Sequence, residues 1–162
     1  MKRLYLVRHA KSSWEHDVSD HKRPLNKRGY NDAQLVSRHI KGLIQLPDLV
    51  FSSDAMRALT TANIFISNLG LNEDEIILNH DLYDFSGRNL TDVIKSSDDA
   101  VNTLMVFGHN HAMTYFVNTY GNKPIGNVPT SGFTHIEMEI DSWKDLEKGT
   151  TIQTVFPRDL KS

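Results

Sequence analysis

Four short apolar runs punctuate the chain: Leu4 to Val7, Leu49 to Phe51, Ile76 to Leu78 and Thr103 to Phe107. None alternates polar with apolar positions, which predicts strands buried on both faces of one sheet. Longer stripes with helical spacing lie between them. Tyr30, Ala33, Val36, Ile40 and Leu43 recur at intervals of three and four, with Asn26 placed to cap the helix. Met56, Leu59, Ala62, Ile66 and Leu69 repeat the pattern, with Ser53 or Asp54 as the cap and Gly70 as the stop. Met113, Phe116, Val117 and Tyr120 form a third stripe, closed by Gly121. Strands alternating with helices predict an α/β three-layer sandwich, with a mostly parallel sheet and helices on both faces. Phe133 to Ile140 does alternate, and Thr151 to Phe156 follows after a turn-like stretch. This hairpin pattern predicts one antiparallel strand.

Composition narrows the function. A chain of 162 residues fits one domain, 1–162, with no linker or repeat to divide it. Lys+Arg 18 against Asp+Glu 20 gives a net charge of −2, which speaks against nucleic acid as a partner. No apolar run approaches the roughly 20 residues of a membrane span. Leu4 to Val7 is too short for a signal-peptide core, so the expected location is cytoplasmic, away from any membrane. Cysteine is absent, which removes disulfides, thiolate zinc sites and thiol nucleophiles.

In a sheet of this kind, ligands bind beyond the carboxyl ends of the strands. Those ends carry Arg8-His9, Ser52-Ser53 leading to Arg57, Asp81 to Asp84, and Gly108-His109. Two guanidinium forks, two imidazoles and helix N-termini make a cluster suited to a phosphate dianion. A neutral imidazole there can attack phosphorus while the arginines spread the charge of the transition state.

The residues around these positions resemble a known family. Leu4 to Trp14 contains Arg8-His9-Ala10, similar to the Arg-His-Gly signature of the histidine phosphatase superfamily, which includes the phosphoglycerate mutases and acid phosphatases. Arg23-Pro24-Leu25-Asn26-Lys27-Arg28-Gly29 is similar to its "R-P-L-T-x-x-G" segment. Phe51 to Ala62 is similar to "S-S-x-x-x-R-A-x-x-T-A", Val106 to Asn110 to the second-histidine motif, and Pro129-Thr130-Ser131-Gly132 to a late turn. Ala10 in place of Gly resembles the SixA-like branch of phosphohistidine phosphatases. The resemblance implies the phosphoglycerate-mutase-like fold, His9 as nucleophile, Arg8, Arg57 and His109 as phosphate-binding residues, and neither cofactor nor metal. It implies Asp84, two residues after Leu82, as the general acid, with Asp81 the second candidate. It leaves Ser12 as a further residue able to order the loop or touch phosphate. The substrate it implies is a phosphorylated protein carrying phosphohistidine, or a small phosphoester.

Other readings remain beside this one. The same residues could serve a small-molecule phosphomonoesterase or a phosphate-binding module without catalysis. His109 and His111 have the H-x-H spacing of a zinc site but lack a matching carboxylate set. Lys22, Arg23, Lys27 and Arg28 read as a solvated basic run, and Trp14 as a loop-packing residue. His16, His21, His39, His80 and His135 take no role in this reading.

Overall fold

The computed structural model describes residues 1–161. Its strands are β1 (Lys2–Arg8), β2 (Leu49–Ser52), β3 (Ile76–Leu78), β4 (Thr103–Gly108), β5 (Phe133–Met138) and β6 (Thr150–Val155). They form one sheet in the order β3-β2-β4-β1-β5-β6. β1 pairs in parallel with β4, and β2 in parallel with both β3 and β4. β5 is antiparallel to β1 and to β6, so it alone runs against the others.

The helices are α1 (Lys27–Ile40), α2 (Met56–Asn68), α3 (Arg88–Lys95), α4 (Ala112–Tyr120) and the short α5 (Pro157–Leu160). Alternation along the strands divides the interior in two. Leu4, Leu6, Leu104, Val106, Ile136 and Met138 face a cluster with Leu90, Val93 and Ile94 of α3 and Met113, Phe116 and Val117 of α4. Tyr5, Val7, Val50, Met105, Phe107 and Phe133 face Ala33, Val36 and Ile40 of α1 and Ala62, Phe65 and Ile66 of α2. These are the three expected layers. Among the described residues, no helix is long and apolar enough to cross a membrane.

Local chemistry sets the boundaries. Asn26 caps α1 as expected, its side chain accepting from Gly29 N–H. The cap of α2 is Ala55, which offers no side-chain bond. Ser53 instead accepts from Ala55 N–H, one step upstream of the helix. Tyr30 and Met56 are exposed, and Leu43 lies exposed beyond the end of α1, so the first two helical stripes are narrower than their spacing suggests. α3 escapes the sequence pattern because Leu90, Val93 and Ile94 are too few to mark a periodicity.

Candidate active site

The register of the sheet builds the site. Arg8 at the end of β1 lies beside Gly108 at the end of β4, and His9 N–H donates to Gly108 C=O at 3.0 Å. His9 and His109 therefore leave adjacent strand ends, and their ring centroids stand 5.2 Å apart. β2 ends on the other side of β4, where Ser53 N–H donates to Phe107 C=O. That places Ser53 Oγ 2.8 Å from His109 Nε2.

The turn at Pro129 to Gly132 closes the opposite flank. Ser131, held at φ 61°, donates its N–H to both Arg8 C=O and His9 C=O at 3.1 Å. Ala10 carries no positive φ and donates its N–H to Thr61 Oγ1, so alanine serves in place of glycine without backbone strain.

His9 is buried, and its Nδ1–H donates to Ala10 C=O at 2.7 Å. In the neutral ring this leaves the lone pair on Nε2. Burial pushes the imidazolium pKa down to about 3, helped by Arg57, Arg8 and Arg23 against the hydrogen bond to Ala10. Burial likewise takes His109 down to about 2, with His9 and Arg57 adding to it. Both rings are uncharged at neutral pH.

Three buried nitrogens near the strand ends lack a protein partner among the described residues. Arg8 gives one terminal nitrogen to Val128 C=O at 2.8 Å, and burial, with Arg57 nearby, lowers its pKa. Arg57, on the first turn of α2, gives its terminal nitrogens to Asp20 C=O at 2.7 Å and to the Asp20 carboxylate at 3.0 Å. Arg8 Nε, Arg57 Nε and His109 Nδ1 are buried with no hydrogen-bond partner among the described residues. Each such group costs about 1–3 kcal/mol unless an acceptor answers it.

The remaining candidates are held by other contacts, although Tyr83 and Phe85 on either side of Asp84 both pack their rings 5.3 Å from that of His109. The Asp84 carboxylate caps its own loop and α3, accepting from Ser86 N–H and Oγ and from the N–H groups of Gly87 and Leu90. These four bonds occupy both carboxylate oxygens, so the acid role expected of Asp84 has a competing structural explanation, and among the described residues it makes no hydrogen bond to His9 or Arg57. Asp81 is exposed, in a single helical turn over His80–Leu82, and faces a groove with Asn89 and Asp92 of α3. Ser12 is buried, and its backbone pairs with Leu25. His111 is exposed at the start of α4, away from the buried His109.

Sequence reading missed Asp20 and Tyr83 and misread Arg23 and Trp14. Arg23 is buried rather than solvated: it donates to the Asp20 carboxylate at 3.1 Å and to Ser13 C=O, and stacks 3.5 Å from the Trp14 ring centroid. Trp14 is 76% exposed, so it covers Arg23 rather than filling a loop core. Asp20 accepts from Arg23, Arg57 and the Tyr83 hydroxyl. Partial burial works to raise its pKa, and these hydrogen bonds overcome that to hold it at about 2. The spacing of Asp20 to Arg23, three residues apart and just before Pro24, was a signal of this pair.

The model of the histidine phosphatase superfamily (branch 1) matches residues 4–103. An uncharacterized chloroplastic protein of Arabidopsis thaliana is 36% identical over 119 residues, covering 67% of this chain and 54% of its own length. The chain thus spans about half of that relative. An uncharacterized protein of Mycobacterium tuberculosis is 31% identical over 153 residues, covering 88% of this chain and 93% of its own. The solved structure of the protein histidine phosphatase SixA complexed with tungstate superposes with a TM-score of 0.83 at 19% identity, over 98% of this chain and 99% of that one. With paired histidines at adjacent strand ends and a family model spanning most of the chain, this protein belongs to the histidine phosphatase superfamily.

Proposed function

We propose that this chain is a phosphohydrolase that takes a phosphoryl group onto His9 and passes it to water, with phosphohistidine on a protein as its substrate. The Nε2 lone pair of His9 attacks phosphorus in line with the departing atom. Arg8 and Arg57 hold the equatorial oxygens as charge spreads over them. Ser53 Oγ, already accepting from Ala55 N–H, donates to His109 Nε2. That puts the His109 proton on Nδ1, the atom with no protein partner, free to donate to the same phosphoryl group. Water then attacks phosphorus, the bond to Nε2 breaks, a proton passes to solvent, and inorganic phosphate leaves. The positive charge comes from arginine, so the step requires no metal.

One observation favours phosphohistidine over alkyl phosphates: among the described residues, no carboxyl hydrogen-bonds to His9 or His109, and Asp20 and Asp84 are engaged by other donors. Asp84 is spent on α3, and Asp20 is held ionised by its donors. An alkoxide departs poorly without such an acid, whose contribution is about 10²–10⁴ in rate. An imidazole leaving group needs far less help. The exposed Phe85, packed against His109, and the exposed Trp14, stacked on Arg23, also suit a protein surface.

Turnover of a phosphohistidine peptide, an aryl phosphate and an alkyl phosphate, each in EDTA, tests this. The first two should proceed and the third should lag by at least 100-fold. An alkyl phosphate turned over as fast as phosphohistidine would reverse the assignment, and a phosphate-binding protein that never labels on His9 would remove catalysis altogether.

A further inference from the structure

Outside the phosphate cluster, three ligand-bearing side chains from separate segments meet: His21, Asp54 and His80, with one donor atom of each within 4.8 Å of the others. His21 lies in a single helical turn, Asp20–Lys22, Asp54 in the loop between β2 and α2, and His80 in the turn His80–Leu82. His21 Nε2 is 2.8 Å from Asp54 Oδ1, and His80 Nδ1 is 2.9 Å from Asp54 Oδ2. Ligand atoms about 2.0–2.1 Å from a tetrahedral zinc ion stand about 3.3 Å apart, so small rotations convert this cluster into a coordination shell. Two imidazoles and one carboxylate are a donor set that suits zinc and leaves a fourth position for water. All three side chains are partly exposed, which gives the ion a path in.

We propose that His21, Asp54 and His80 form a binding site for a divalent transition metal of the zinc class, and that its occupation locks the phosphate cluster shut. Each histidine is tied to a residue that covers Arg57, and both rings pack against that of Tyr83. His21 follows Asp20, whose carbonyl and carboxylate occupy both terminal nitrogens of Arg57. His80 lies three residues before Tyr83, whose hydroxyl donates to that same carboxylate. A phosphoryl group must displace Asp20 to gain those nitrogens, and the turn over Asp20–Lys22 must lift for that to happen. An ion bridging His21 to Asp54 and His80 pins the turn where it is. The ion is thus a regulator, separate from the metal-independent step on His9.

Binding is measured first, on the full chain, by calorimetric titration with zinc chloride. The wild type should bind one zinc per chain, and His80→Ala and Asp54→Asn should each bind at least tenfold more weakly. His80 has a side chain 71% exposed, so its replacement leaves the fold intact. Equal zinc affinity in wild type and both variants overturns the site, whatever the catalytic activity proves to be. The regulatory half rests on the proposed phosphatase reading. Zinc at saturation should lower turnover of an aryl phosphate by tenfold or more in wild type and restore fully with EDTA, while His80→Ala keeps its basal rate and loses most of the inhibition. Tight zinc binding without inhibition, or equal inhibition in His80→Ala, overturns the lock.

Discussion

The chemistry of the site depends on which atom of each side chain is free. The Ala10 carbonyl takes the His9 Nδ1 proton and so presents Nε2 to phosphorus. His9→Ala should therefore abolish both turnover and acid-labile labelling by a phosphodonor; persistent labelling of that variant would move the nucleophile elsewhere. Arg57→Ala should lower kcat by about 10²–10³, the usual loss for one preorganised donor at a developing oxyanion. Asp84 separates two readings of the same carboxylate. As the cap of α3 and its loop it should tolerate Asn poorly, because an amide cannot accept from four donors, and the unfolding free energy should fall by about 1–2 kcal/mol. As a general acid it would cost about 10²–10⁴ in kcat. We expect Asp84→Asn to melt earlier while its kcat toward phosphohistidine stays within a few-fold of wild type, and a loss of 100-fold in the folded variant would return the acid role to Asp84.

Among the elements, the segment joining β1 to α1 does the most positioning. Arg23-Pro24-Leu25 lies back along Lys11 to Ser13: Ser13 N–H donates to Pro24 C=O, and Asn26 N–H to Lys11 C=O. Gly29 completes this packing, because a Cβ there would overlap the Lys11 carbonyl oxygen. Gly29→Ala must push back the backbone two residues after His9. It should cost about 1–3 kcal/mol in stability, as overpacking of a tight site does, and lower kcat as well; denaturant unfolding that matches wild type would mean the loop yields freely. The sequence displayed this glycine, the buried strands β1 and β4 and the cap at Asn26, since each rests on local periodicity or a single side chain; it misjudged β3, expected to be buried on both faces, which lies at the sheet edge with Ile77 and Leu78 exposed. It also displayed Arg8, His9, Arg57 and His109, because parallel strands deliver their carboxyl ends to one edge. It concealed α3, with only three core residues, and the knot of Asp20, Arg23 and Tyr83, which forms across 63 positions of chain. Charge alone made Arg23 look solvated, and only the fold shows Trp14 stacked upon it.

At the scale of the whole molecule, the site is a liability in acid. His9 and His109 are uncharged in the fold down to about 3 and about 2, whereas an unfolded chain protonates its histidines near about 6.5. Between those limits the unfolded state binds more protons than the native state, so stability rises with pH there and is level above about 6.5. Each of the two histidines contributes a slope approaching about 1.4 kcal/mol per pH unit once the pH is well below the unfolded value. Burial lowers His135 as well, so it adds to the same slope. Carboxylates enter only nearer their own range, which leaves pH 6.5 to 4.5 as the clean window. Urea unfolding in phosphate-free buffers should show equal stability at pH 7 and 8 and a steep decline through that window. His9→Asn, which removes one titrating ring, should flatten the decline by up to about 1.4 kcal/mol per pH unit. Inorganic phosphate should stabilise the wild type by occupying Arg8 and Arg57, and Arg57→Ala should lose most of that protection. A wild type and His9→Asn with parallel pH profiles would mean that His9 takes up its proton in the fold as readily as in the unfolded chain, and burial would then not be what keeps its Nε2 lone pair free.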